Sequence, residues 1–188
     1  MRRMARLGLA LVGGALSQAL AQSGGHAHAG HGAPMSMAAM NTQMLAELRP
    51  LKGRAFDVRF AQRMMDHHQM AVDMARAELR SGRDARVKAA AREVIAAQQR
   101  ELAQMGAWVK TWTGKPYRPA SAAMNVPAPG TDRWFLTEMI PHHQGAVEMA
   151  RLVPARTQNA AVRKLAQEII KAQSTEIGQY RAWLKAMK

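Results

Sequence analysis

Residues 64–75 read MMDHHQMAVDMA, and residues 139–150 repeat the pattern as MIPHHQGAVEMA. Taken as helix, at roughly 100° per residue, Met64, His67, His68, Ala71 and Met74 fall within a wedge of about 120°. Arg63, Asp66, Gln69, Asp73 and Arg76 occupy the other side. The paired histidines therefore lie on the apolar stripe, on the face a helix buries. The second copy places Met139, His142, His143 and Met149 in the same way, with Pro141 where the first has Asp66. A proline there predicts a helix that starts late or kinks.

The resemblance between the copies extends outward at a constant offset, without gaps. Eleven of 20 positions are identical between 57–76 and 132–151, and 12 of 26 between 85–110 and 160–185. Each repeat reads as two helices joined by a short break, SGRD at 81–84 in one and the region of Pro154 in the other. Residues 113–130, TGKPYRPASAAMNVPAPG, carry four prolines and read as a crossover loop. Two hairpins that each own an apolar face bury those faces best against one another. The expected fold is all-α, a four-helix bundle over 55–188 with pseudo-twofold symmetry. Repeat one spans 55–112 and repeat two 131–188.

The partner helices carry inward stripes of Val87, Ala91, Val94, Gln98, Glu101, Met105, Trp108 and of Val162, Ala166, Ile169, Gln173, Glu176, Tyr180, Trp183. Each stripe is interrupted only by a Gln and a Glu. Folding each hairpin about its turn predicts Gln98 opposite His67 and Glu101 opposite Met64. It likewise predicts Gln173 near His142 and Glu176 near Met139. Polar groups buried at this level must satisfy one another or bind something. A closed His, Gln and Glu network that fixes how the hairpins pair is one reading. A metal centre is the other. Its candidate ligands are Met64, His67, His68, Met74, Met139, His142, His143 and Met149. Gln98, Glu101, Gln173 and Glu176, with Asp57 and Asp132 beside the wedge, are its outer supports. Imidazole with thioether is a soft set that suits copper, Cu(I) above all, with silver or Cu(II) also compatible.

Residues 1–21 read as a cleaved signal peptide. MRRMAR is a basic start, LGLALVGGALSQAL a short apolar run, and Ala19-Leu20-Ala21 a cleavage site before Gln22. The apolar run is too short and too interrupted for a membrane span. Export to a periplasm or beyond follows. Residues 22–54 read as a flexible segment rich in His and Met, because Gly, Ala and Ser dominate its first half. His26, His28, His31, Met35, Met37 and Met40 are its candidate metal-capturing side chains.

The 188 residues include 15 methionines, more than packing alone usually needs, and no cysteine, so disulfide and thiolate chemistry are excluded. A net charge of +14 is strongly basic. With export and only 5% aromatic residues it does not read as a nucleic-acid binder; an anionic membrane surface stays compatible.

The two HH strings and the two-hairpin layout resemble the domain-of-unknown-function family 305, a ferritin-like group of bacterial proteins, over about residues 55–186. The resemblance implies a helical bundle and an association with copper binding or resistance outside the cytoplasm. It carries Met64, His67, His68 and Met74, and Met139, His142, His143 and Met149, onto the family motif. Asp66 departs from the motif's usual proline, so the two copies need not bind alike. The expected function is a non-enzymatic, exported copper-binding protein for sequestration, transfer or resistance, in contact with a metal ion and an envelope copper-handling protein. A homo-oligomer is compatible with that fold. Two other classes compete. A helical envelope interaction module with a structural polar core needs no metal. A ferritin-like di-metal oxidase needs a Glu-x-x-His motif, which is absent from the sequence.

Overall fold

The computed structural model describes residues 36–120, 126–127 and 130–187. The expected signal peptide, residues 1–21, lies outside them, as do His26, His28, His31 and Met35. Five helices follow in order: α1 Met37–Leu48, α2 Gly53–Ser81, α3 Ala85–Thr113, α4 Thr131–Arg156 and α5 Ala160–Ala186. Among the described residues none is long and apolar enough to cross a membrane.

Local chemistry sets the helix ends. The Asp84 side chain accepts from Arg86 N at the start of α3, and Asn159 accepts from Ala161 N and Val162 N at the start of α5. Both are N-caps that satisfy otherwise orphaned donors. Gly114 ends α3 at φ +73°, a left-handed cap that a side chain would strain. α4 begins at Thr131, so Pro141 sits well inside it rather than at a late start. Pro154 also lies inside α4, so the second hairpin turns at Thr157–Asn159 instead of at the proline.

The α2–α3 and α4–α5 hairpins form the expected four-helix bundle, joined chiefly through α2 and α4. All four helices feed two apolar clusters. The first holds Phe56, Phe60, Met64, Met105, Met149 and Leu165. The second holds Met74, Val94, Phe135, Leu136, Met139 and Tyr180. Fully burying each such side chain contributes roughly 1.5–3 kcal/mol.

Asp57 and Asp132 knit the hairpins crosswise. Asp132 on α4 accepts from Arg83 N at 2.9 Å and Asp84 N at 2.8 Å, in the turn of the other hairpin. Its repeat-one counterpart Asp57 accepts from Asn159 Nδ2 at 3.2 Å in the opposite turn. The expectation that these carboxylates support the histidines is therefore corrected. They hold turns, because the helix face they share with the histidines reaches the neighbouring hairpin's end at their level.

A second correction concerns residues 22–54. From Ser36 the chain is not a flexible tail. Ser36 caps α1 by accepting from Ala39 N, and α1 buries Asn41, Met44, Leu45 and Leu48 while packing mainly on α4. Composition averaged over the segment hides the helical spacing of Met37, Met40, Met44 and Leu48. Met37 and Met40 thus belong to a docked helix and pack beside the second cluster.

Candidate metal centre

α2 and α4 run in opposite directions where they meet, and the meeting point is the histidine pair of each. The rings of His67 and His142 lie 3.7 Å apart between centroids and tilt by 33°. Met64 and Met149 lie together in one apolar cluster; Met74 and Met139 lie together in the other. Each repeat thus sends one thioether to either side of a shared histidine layer. All four histidines are 0% exposed, and the four methionines are at most 1% exposed.

The hydrogen bonds fix where lone pairs remain. His142 Nε2 donates to the His67 carbonyl at 2.8 Å, since a carbonyl can only accept. His68 Nε2 meets Glu101 Oε2 at 2.5 Å and His143 Nε2 meets Glu176 Oε2 at 2.7 Å. A carboxylate beside Nε2 holds the proton there and leaves Nδ1 with its lone pair, as in carboxylate–histidine–metal triads. The Glu176 contact is close but poorly aligned, and His143 Nε2 makes no hydrogen bond. Glu101 and Glu176 thus stand beside His68 and His143, not at the Met64 and Met139 levels expected.

Five buried imidazole nitrogens have no polar partner: both of His67, and Nδ1 of His68, His142 and His143. Gln98 and Gln173 are buried as expected, but their Oε1 atoms are also unpartnered and bond to neither His67 nor His142. Each such group costs about 1–3 kcal/mol. A closed polar network would have paired them. Burial is the first cause that pushes the His67 imidazole well below its ordinary pKa, followed by the neighbouring His68 and His143. His142 is lowered in the same direction, by burial first and then by His67 and His143. Both rings are neutral at pH 7, which is the form that binds metals.

These residues fit a soft ion. Among the described residues, no group of three or more His, Asp and Glu side chains is placed to hold a metal alone. The buried donors that line this layer are imidazole nitrogen and thioether sulfur, the set that suits Cu(I) better than hard ions.

Both His-bearing helices are covered from outside at the position just before the His pair, where the copies differ as Asp66 and Pro141. Asp66 is buried, not solvent-facing as its helical angle suggests. It accepts from Tyr117 Oη at 2.9 Å, Ala120 N at 2.9 Å and Arg63 Nη1 at 2.8 Å. Burial and then that hydrogen bond push the Tyr117 phenol up to about 12, so it stays a donor. On α4, Asn41 Nδ2 donates to the Pro141 carbonyl at 2.9 Å. Sequence reasoning missed Asn41, Tyr117 and Ala120. The Asp66/Pro141 difference was the available signal, since a position that breaks the repeat is where something outside the repeat docks.

The sequence profile of the domain of unknown function DUF305 matches residues 4–123 and 132–188. The chain belongs to the DUF305 family. Among solved structures it is similar to CopM in the Cu(I)-bound form, with 36% identity over 69% of this chain and 96% of that one, at a TM-score of 0.65. CopM in an Ag-bound form matches at 36% identity over 70% of this chain and 96% of that one, again at 0.65. CopM in a Cu(II)-bound form matches at 36% over 70% and 98%, also at 0.65. A DUF305 fragment from Deinococcus radiodurans matches at 28% identity over 70% and 96%, at 0.62. No curated protein matches the sequence.

Proposed function

We propose that this DUF305 protein is an exported, non-enzymatic copper-binding protein that holds Cu(I) in the layer between α2 and α4, for sequestration or transfer outside the cytoplasm. One observation carries the reading. Five buried imidazole nitrogens without a partner, both of His67 and Nδ1 of His68, His142 and His143, lie between two methionine-bearing clusters, an arrangement that costs stability unless a ligand uses it. CopM, at 36% identity, is known in Cu(I)-, Ag- and Cu(II)-bound forms, which supports the same ligand class here. The leader-like residues 1–21 support export. His68 and His143 would bind through Nδ1, oriented by Glu101 and Glu176. His67 and His142 would bind as neutral rings, and Met64, Met149, Met74 and Met139 would supply labile sulfur. The bound ion is cargo, and the chain's task is to hold it away from water and release it by exchange.

An anaerobic Cu(I) titration against a competing chelator tests this. Three versions beginning at Gln22 are compared: wild type, His26/His28/His31→Ala, and His67/His68/His142/His143→Ala. Tight binding kept by the tail variant and lost by the core variant is the expected result. Binding that follows the tail alone, or is equal in all three, sinks the proposal.

A further inference from the structure

The candidate ligands are closed off on every side, with the four histidines 0% exposed, so an ion reaches them only if part of the protein moves. We infer that α1 is that part: a hinged cover over the second His pair, latched by Asn41 against Pro141 and Gly145, whose lifting admits and releases the ion. The inference rests on the copper reading above.

Three features single out α1. First, it is short at 12 residues, against 26–29 for the bundle helices, and it joins α2 through a connector containing Pro50. Pro50 cannot continue a helix, so α1 can swing while α2 stays in place. Second, its two ends are held unequally. Near the connector Leu48 is fully buried, and Glu47 accepts from Arg63 Nε at 2.8 Å. Towards Ser36, Asn41 supplies the side-chain hydrogen bond from α1 to α4. The hinge is thus at the C-terminal end and the lifting end carries Met37 and Met40. Third, the latch lies beside the ligands. Pro141 precedes His142, and Gly145 follows His143 by two residues. A Cβ at Gly145 would stand 2.2 Å from Asn41 Oδ1, so the docked position of α1 requires glycine there. Asn41 Oδ1 is itself buried without a partner, a penalty of the closed state that disappears on opening.

The corresponding cover on repeat one is fastened differently. Asp66 replaces Pro141, Met70 replaces Gly145, and three donors from Tyr117, Ala120 and Arg63 converge on the Asp66 carboxylate. The less tightly fastened side is the one under α1. As that helix lifts, Met40, which packs beside both apolar clusters, presents a thioether at the opening. Labile sulfur there gives the ion an exchangeable first contact.

Two measurements test the cover. In the metal-free protein, amide hydrogen exchange across 40–48 is compared with α2 and α4. The expected result is markedly faster exchange in α1, and faster still in both Gly145→Ala, which pushes Asn41 off its seat, and Asn41→Ala, which removes the hydrogen bond to Pro141. Transfer of Cu(I) from its complex with a colorimetric chelator is then followed in the same variants. Gly145→Ala should speed both uptake and release about tenfold and leave affinity within about threefold, and Asn41→Ala should shift the rates in the same direction. Wild-type α1 amides as protected as those of α2, or transfer rates unmoved by Gly145→Ala, would overturn the cover while leaving copper binding intact. Loss of binding only on removing the core histidines tests the separate question of the site itself.

Discussion

Replacing His67 by Leu separates a ligand from a structural residue, because the two roles predict opposite signs for the metal-free protein. His67 is fully buried, neither ring nitrogen has a partner, and its hydrogen bond with His142 uses the backbone carbonyl, which Leu retains. Relieving two unpartnered nitrogens gains roughly 2–6 kcal/mol at about 1–3 each. Losing the ring contact with His142 and repacking the layer costs about 1.5 kcal/mol. The metal-free variant should therefore be more stable than wild type by roughly 0.5–4.5 kcal/mol at pH 7.5. Acid should widen the gap. The folded-state pKa of His67 is depressed, so the unfolded chain binds a proton that the native protein does not. Its stabilising contribution is present above the unfolded pKa near 6.5 and is lost as pH falls below it. At pH 5.5 this costs wild type about 1.4 kcal/mol that the Leu variant does not lose. Urea unfolding with a chelator present, at both pH values, reads the difference. A Leu variant less stable by about 1 kcal/mol or more at pH 7.5 would refute the reasoning and return the histidines to a structural role.

Three further outcomes follow from named contacts. Glu101→Ala removes the carboxylate at 2.5 Å from His68 Nε2 and should weaken Cu(I) binding about 10–100-fold in chelator competition. Glu176→Ala should do less, since His143 is already misaligned with its carboxylate. Asp132→Ala leaves Arg83 N and Asp84 N without their acceptor and should lower unfolding stability by about 2–3 kcal/mol, more than Asp57→Ala, whose bond to Asn159 is a single longer one. Glu78 is fully buried, and burial, then Asp132, pushes its carboxyl up to about 8. Here the native protein holds the extra proton, so stability falls as pH rises from about 4.5 towards 8. Glu78→Gln should remove that decline and stabilise the protein by about 2–4 kcal/mol at pH 7.5 in the same unfolding assay.

The amino-acid sequence by itself determined the repeat, the four bundle helices and the inward face of the HH motif. All three follow from local periodicity and a constant offset, which need no knowledge of neighbours. It also supplied the candidate donors, because seven histidines and 15 methionines, with no cysteine, put imidazole nitrogen and thioether sulfur on the buried stripe. Which side chains meet was decided only by the tertiary structure. A helical wheel places Glu101 and Glu176 on the right face, but the axial register of each hairpin selects His68 and His143 as their partners. Asp57 and Asp132 share the histidines' face, yet the crossing of α2 and α4 carries them to the opposite turns. The burial of Asp66 and the docking of α1 through Asn41 depend on segments outside the repeat. No period within α2 or α4 encodes what the crossover loop and α1 lay over them, because those contacts join residues 51 and 100 positions apart in the chain.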